Sequence, residues 1–326
     1  MAQPTRVALA LGAGGARGYA HIGVIQVLEE RGYEIVNLAG SSMGAVVGSL
    51  HAAGTLSAYT DWVRTLTQRD VLRLLDPSFK APGAIRAEKI LAKVAELLGD
   101  RVIEDLPIRF TAVATDLLAG KEVWFQRGRV DAAVRASFAL PSFISPVMLN
   151  GRLLADGGLL NPVPVAATTA SLADIIVAVS LADAHPSSAK AAAAQESGDD
   201  MYDRARRTIA QMFDGDLTRT ISSWFSGGQE PVTLDERHGA EQPTETDPFG
   251  PLPSGLRTFD VMQLSLVALQ RMITRYQLAS YPPDVLITIP RGSCRTLDFH
   301  RASEMIALGR ERAIEALDGG APFSSP

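Results

Sequence analysis

The chain has 326 residues, 46% of them hydrophobic, one cysteine and a formal net charge of -5. This length and composition can bury a large core, so we expect one α/β domain that carries an insertion. The acidic balance gives no overall attraction to nucleic acid, and a lone Cys294 excludes an internal disulfide, which favours a cytoplasmic protein. We also expect no export signal, because the apolar stretch that follows Met1–Arg6, Val7–Leu11, is too short for one.

Short apolar runs predict strands, and the first two frame a β-α-β unit. Arg6–Leu11 and Ile35–Ala39 are typical of strands covered on both faces, and Ile22–Arg31 between them has helical spacing. Further strands are predicted at Ile108–Ala114, Glu122–Gln126, Arg152–Ala155, Ile175–Ser180 and Val285–Ile289. Further helices are predicted at Met43–Ala53, Ser57–Arg69, Ala87–Leu98 and Arg301–Leu317. The alternation indicates a layered α/β fold.

Composition divides the chain into three parts. Residues 1–185 contain most of the predicted strands and form the expected catalytic core. Residues 186–257 are rich in small, polar and acidic residues and predict a mobile insertion or cap. Within it, 201–225 has the pattern of an amphipathic helix, which packs on the core or contacts a lipid surface. Residues 258–326 predict a helix-strand-helix that completes the core.

One uncharged segment, Leu38–Tyr59, is long enough to be considered as a membrane span. Gly40 and Gly44, with two serines between them, interrupt its first part. The remainder, Met43–Ala53, makes an apolar helix of about three turns, which suits burial in a globular core. We therefore favour the buried helix over the span.

A G-x-S-x-G motif, Gly40-Ser41-Ser42-Met43-Gly44, lies between a predicted strand and a predicted helix. In that context a sharp turn projects the central serine, so Ser42 is the candidate nucleophile. Glycines at Gly40 and Gly44 let neighbouring backbones approach, and the following helix N-terminus favours developing negative charge. The alternative is a glycine-rich turn with an idle serine.

The first strand-to-helix turn holds a second glycine-rich loop, Gly14-Gly15-Ala16-Arg17-Gly18. A parallel sheet would place it beside the serine, where its backbone amides could hold an oxyanion. A dinucleotide loop is the alternative, because Gly12-x-Gly14-x-x-Arg17 resembles G-x-G-x-x-G. Arginine replaces the third glycine, and the second strand does not lead to a ribose-binding acid, so we favour the oxyanion hole.

A nucleophilic serine needs a base, and Asp156 is the best candidate. It ends an apolar run and precedes Gly157 and Gly158, so its carboxylate could face a pocket and take the serine proton. The alternative is an Asp-Gly turn that shapes a hairpin. The histidines have weaker contexts and remain alternative triad members or core residues: His21, His51, His185, His238 and His300.

The glycine loop, the G-x-S-x-G motif and Asp156-Gly157-Gly158 together resemble the three signatures of the patatin-like phospholipase family. Supporting similarity extends over roughly Arg6–Ala182, and Ala13 departs from the glycine that is common there. The resemblance implies a three-layer α/β/α patatin-like fold with a central mostly parallel sheet and helices on both faces.

The same resemblance implies hydrolysis of lipid acyl esters by a Ser42–Asp156 dyad. Amides of Gly14, Gly15 and Ala16, with Arg17 nearby, would then form the oxyanion hole. No metal or other cofactor is implied. A lipid-binding or regulatory protein with little turnover is the alternative, and the oligomeric state, headgroup and chain length stay open.

An apolar stretch after the supporting motif provides candidates for an acyl pocket. These are Leu140, Phe143 and Ile144, with Met43 from the serine motif. Packing in the core is the alternative for each side chain. Because lipid substrates lie at interfaces, we also expect transient contact with a membrane surface, through this stretch or through 201–225.

Overall fold

The computed structural model describes residues 3–74, 88–140, 144–181 and 258–319. This part of the chain contains eight strands: β1 (Arg6–Leu11), β2 (Glu34–Ser41), β3 (Arg109–Asp116), β4 (Lys121–Phe125), β5 (Val147–Leu149), β6 (Arg152–Asp156), β7 (Ile175–Ser180) and β8 (Val285–Thr288). They form one sheet in the order β5-β6-β3-β2-β1-β7-β8, and β4 pairs with β3. Each apolar run expected to be a strand is a strand.

The central strands of the sheet are parallel, as predicted. β1 pairs in parallel with β2 and β7, β2 with β3, and β7 with β8. The antiparallel pairs, β3 with β4 and β6, and β5 with β6, lie toward one edge. Because strands that share a direction end at one edge of a sheet, the loops after β1, β2 and β3 come together there.

Helices cover the two faces of the sheet. They are α1 (Ala20–Glu30), α2 (Met43–Ala52), α3 (Leu56–Thr65), α4 (Gln68–Leu74), α5 (Glu88–Leu98), α6 (Val130–Ser137), α7 (Thr258–Ser280) and α8 (Ala302–Gly319). Val7, Leu9 and Leu11 of β1 pack into the main core with α1, α2 and α8. Ala10 faces the other way, toward a smaller cluster against which Leu278 of α7 packs. The predicted three-layer α/β/α arrangement is confirmed.

Two local predictions were incomplete. The expected helix Ser57–Arg69 is interrupted, because Leu66 adopts an extended conformation after α3. The Asp70 carboxylate then accepts the backbone N–H of Thr67 and supports the start of α4. The short elements α6 and β5 were not predicted.

The chain divides into two compact units, and one of them contains the sheet. It spans Met1–Ala184 and Gln263–Pro326. Of the other unit, His185–Met262, the structure describes only residues 258–262, so the predicted helix at 201–225 lies outside the described residues. Leu38–Tyr59 forms the end of β2, all of α2 and part of α3, and no described helix could cross a membrane.

Candidate functional site

Ser42 occupies a strained turn between β2 and α2. Its φ is 56°, and Asn150 is the only other described non-glycine residue with positive φ. Such a conformation costs roughly 1–3 kcal/mol for an L-residue and persists where the surrounding structure enforces it. The enforcement here is close packing, because a Cβ on Gly40 would collide with the Gly44 backbone and one on Gly44 with the Leu11 carbonyl.

The register of β3 brings Ser42 and Asp156 together. β4 covers one edge of β3 from Ala112 to Asp116, so β2 and β6 must share the opposite edge. On that edge Ser41 pairs with Val113, and Asp156 pairs with the next residue along β3. A Cβ on Gly157 would accordingly lie 3.2 Å from Ser41 Oγ. Two strands of opposite direction thus end against each other: β6 ends at Asp156, and β2 ends at Ser41, next to Ser42.

The Asp156 carboxyl group is 1% exposed and only partly satisfied. Its Oδ1 accepts the Gly158 backbone N–H at 2.7 Å, while Oδ2 has no well-formed hydrogen bond. Burial raises the pKa of Asp156 to about 6, against the opposing effects of the Ser42 hydroxyl and the Gly158 amide. The carboxylate is therefore a stronger base than an exposed aspartate, and Ser42 lies near enough to affect its ionisation.

The glycine loop after β1 is tied to the turn that follows β8. Ala16 N–H donates to the Thr296 carbonyl at 2.9 Å. Arg17, which is 9% exposed, donates from Nη1 to the Cys294 carbonyl at 2.9 Å and to the Arg291 carbonyl at 3.3 Å. Arg17 therefore holds the loop through backbone oxygens, and the Ala16 amide is occupied in this conformation.

The amides of Gly14 and Gly15 have no hydrogen-bond acceptor among the residues that the structure describes. Gly15 has a φ of +58°, and a Cβ there would collide with the Thr296 carbonyl. Only glycine fits this position without displacing the loop. The loop therefore has two backbone N–H groups from which an anionic oxygen could accept hydrogen bonds.

Comparison with known proteins identifies the family. A family model described as patatin-like phospholipase matches residues 9–169. An NTE family protein of Mycobacterium tuberculosis is 48% identical over 96% of this chain and 91% of its own length. The chain belongs to the patatin-like phospholipase family.

Two further comparisons agree with this patatin-like assignment. The mouse patatin-like phospholipase domain-containing protein 6 is 31% identical over 53% of this chain and 13% of its own length. The crystal structure of VipD from Legionella pneumophila covers 98% of this chain and 67% of its own, with a TM-score of 0.53 and 14% identity, and shows the shared fold. At the level of the family, the family model and the mycobacterial and mouse relatives support a lipid acyl hydrolase.

The remaining motif glycines of this patatin-like chain lie at tight contacts. A Cβ on Gly12 would lie 2.7 Å from the Val179 carbonyl oxygen, and one on Gly158 would lie 2.5 Å from the Ala13 Cβ. A Cβ on Gly18 would collide with the Met43 side chain. The glycine loop is thus packed closely against β7, against the Asp156 turn and against the start of α2.

The acyl-pocket candidates have different environments. Met43 and Ile144 are buried in the main core, Leu140 is half-buried, and Phe143 lies outside the described residues. A groove of about 250 Å³ lies between α5 and α6, and Met43, Leu140 and Ile144 do not line it. Core packing therefore accounts for Met43 and Ile144, and the pocket stays a prediction.

None of the three described histidines hydrogen-bonds to Ser42 or Asp156. His21 Nε2 donates to the Gly12 carbonyl at 2.8 Å, and burial lowers the His21 pKa to about 4. His51 Nε2 lies 3.9 Å from Glu29, and His300 lies in the turn before α8. His185 and His238 lie outside the described residues.

Sequence reasoning missed two residues that hold the site. Ser137 Oγ accepts the Ser42 backbone N–H at 2.9 Å and donates to the Val113 carbonyl at 2.6 Å. The Asn161 backbone carbonyl accepts a hydrogen bond from the Ser41 hydroxyl at 2.7 Å. Both are small polar residues near the end of an element, Ser137 before the apolar run that ends at Asp156 and Asn161 just after it. That position was the only sequence feature that could have indicated them.

Proposed function

We propose that the protein hydrolyses carboxylic esters of lipids through a Ser42–Asp156 dyad, without a metal ion. The observation that supports this most is the shared edge of β3, where the strained Ser42 turn and the buried Asp156 carboxyl group lie end to end. The proposed reaction uses only the chain's own groups, and the described residues contain no cluster of three or more His, Cys, Asp or Glu side chains that could hold a metal ion.

In the first half-reaction, the Asp156 carboxylate takes the proton of the Ser42 hydroxyl as Oγ bonds to the ester carbonyl carbon. The carbonyl oxygen becomes an oxyanion, for which Gly14 and Gly15 amides are the proposed donors; each such donor contributes about 10²–10³ in rate. The carbon–oxygen ester bond then breaks. The leaving alcohol takes the proton from Asp156, and the acyl group stays on Ser42.

In the second half-reaction, Asp156 takes a proton from water as the water oxygen bonds to the acyl carbon. The same two amides hold the second oxyanion. Its collapse breaks the bond to Ser42 Oγ, which regains the proton, and a free carboxylic acid leaves. One base thus serves both steps, because its pKa of about 6 lets it take and return a proton near neutral pH.

The test of the proposed function is covalent trapping together with turnover. Wild type should release p-nitrophenol from p-nitrophenyl esters, and a fluorophosphonate should add one phosphonyl group to Ser42, detected by mass spectrometry of peptides. Ser42→Ala should lose the label and roughly 10⁴-fold or more of kcat. Turnover by Ser42→Ala at the wild-type rate would overturn the proposal.

The pH dependence follows from the raised pKa of Asp156. Only the carboxylate form can accept the serine proton, so kcat/KM should rise about tenfold per pH unit below about pH 6 and level off above it. Rates measured from acid to neutral pH, with unfolding followed by circular dichroism in parallel, check this. A kcat/KM that stays constant across pH 6 would contradict the assigned base.

A further inference from the structure

The site loops share a buried polar connection that the dyad chemistry does not use, centred on Asn161. This residue is 2% exposed and lies five positions after Asp156. Its backbone carbonyl accepts the Ser41 hydroxyl at 2.7 Å, and its backbone N–H donates to the Gly157 carbonyl at 2.8 Å. Asn161 therefore contacts the residue before Ser42 and the residue after Asp156.

The Asn161 side chain is held by Glu122 of β4. Asn161 Nδ2 donates to Glu122 Oε2 at 2.9 Å, and the Trp124 indole N–H donates to the same oxygen at 2.8 Å. Gln277 of α7 donates to Glu122 Oε1 at 3.4 Å and to the Leu160 carbonyl at 3.0 Å. A single carboxylate thus accepts from three side chains, including one on the turn that follows Asp156.

Helix α7 reaches the same turn through a second amide. Gln270 Nε2 donates to the Gly158 carbonyl at 2.8 Å, and the Gly158 amide in turn donates to Asp156. The turn from Gly157 to Asn161 is therefore fixed from β4 and from α7 at once. Hydrogen bonds to a charged acceptor are the stronger kind, so loss of the Glu122 charge should loosen this turn first.

We propose that Glu122 and Asn161 are positioning residues that keep the Ser42 turn and the Asp156 carboxylate at reacting distance. The proposal rests on the proposed function. It assigns neither residue a contact with substrate. A displacement of about 1 Å between reacting groups costs on the order of 10²-fold in rate, so loosening this connection should slow both half-reactions.

The test uses a swap of donor and acceptor. Glu122→Gln presents an amide to three donors, and Asn161→Asp places a second carboxylate against Glu122, so each should lower kcat about 10-fold to 100-fold with little change in KM. The double variant Glu122→Gln/Asn161→Asp restores one acceptor and one donor to the pair, and it should recover most of that loss. Glu104→Gln is the matched control, because that exposed carboxylate accepts the Gly128 amide and hydrogen-bonds neither site loop.

Fluorophosphonate labelling separates positioning from folding. A positioning defect lowers the rate constant of labelling and leaves the final labelled fraction at the wild-type value. A folding defect lowers the final fraction, and in that event the double variant decides, since recovery of the labelling rate supports the pair and its absence overturns it. Single variants that label and turn over as fast as wild type would also overturn it. Failure of wild type to label or turn over would instead refute the dyad itself.

Discussion

The Ser42 turn and the glycine loop are both glycine-rich turns between a strand and a helix, yet different parts of the chain hold them. The Ser42 turn is fixed by its neighbours in the sheet, through the β2–β3 register and through Gly44 against Leu11. The glycine loop depends on residues far along the chain, with 277 positions between Arg17 and the carbonyl it binds. The Ser42 turn is thus held by neighbouring strands and by residues up to 120 positions away, whereas the glycine loop is held by a segment near the end of the chain.

The largest effect on this contrast is expected from a substitution that disturbs the glycine loop and leaves the Ser42 turn unchanged. Gly15 has a φ of +58°, and Gly15→Ala puts a methyl group against the Thr296 carbonyl. The loop must therefore move, and its amides no longer point at the proposed oxyanion position. We expect kcat for p-nitrophenyl butyrate to fall about 10²–10³-fold, the cost of one oxyanion donor. Fluorophosphonate labelling should slow in parallel.

Gly32→Ala is the matched control for this substitution. Gly32 also has positive φ, at +75°, but a Cβ there meets nothing within 4 Å. Gly32→Ala should lower the free energy of unfolding by roughly 1–2 kcal/mol because of the backbone conformation, and kcat should be unchanged. Equal losses of kcat in the two variants would contradict a specific role for the loop.

A smaller effect is expected from the arginine that anchors the loop. Arg17→Lys replaces a planar fork, which donates to two carbonyls, by a single ammonium group that cannot match that geometry. We expect kcat to fall on the order of tenfold and the free energy of unfolding to fall by about 1–3 kcal/mol. Steady-state kinetics and urea unfolding measure the two.

The control for Arg17 is Arg310→Lys, whose guanidinium forms an exposed pair with Glu30. It should change the free energy of unfolding by less than about 1 kcal/mol and leave kcat unchanged. If Arg17→Lys proved as mild as this surface change, the long-range anchor would contribute nothing to the loop.

The smallest effect concerns stability of the Ser42 turn. Because φ at Ser42 is 56°, the free energy of unfolding of Ser42→Gly in urea should exceed that of Ser42→Ala by about 1 kcal/mol. Neither variant should hydrolyse esters. The two inactive variants differ only in the Cβ, so the comparison isolates backbone strain. An alanine variant as stable as the glycine variant would show that the turn is relaxed.

Much of the fold could be predicted because its central strands are buried on both faces. Arg6–Leu11 and Ile175–Ser180 are almost wholly apolar, and the structure has strands at those bounds. The mixed edge was harder to predict, since β5 has only three residues, and their side chains are partly or largely exposed. Helix α6 is only eight residues long, so its apolar pattern covers about two turns and is too short to predict a helix.

The sequence points to the residues of the candidate site but not to the contacts that hold them. Ser42 and Asp156 stand out by their flanking glycines, and the β3 register explains how they meet. The occupied Ala16 amide and the Glu122–Asn161 contact could not be predicted, because they depend on which distant segments pack together. A single sequence contains no signal for such pairs.

The central claim is that an aspartate, and no histidine, is the base for Ser42. The most direct test compares Asp156→Asn with a variant in which all five histidines are glutamine, using p-nitrophenyl butyrate at pH 8. We expect Asp156→Asn to lose about 10⁴-fold of kcat and the histidine-free variant to keep turnover within about tenfold of wild type. Activity retained by Asp156→Asn but lost without the histidines, in protein that is still folded by circular dichroism, would contradict the account.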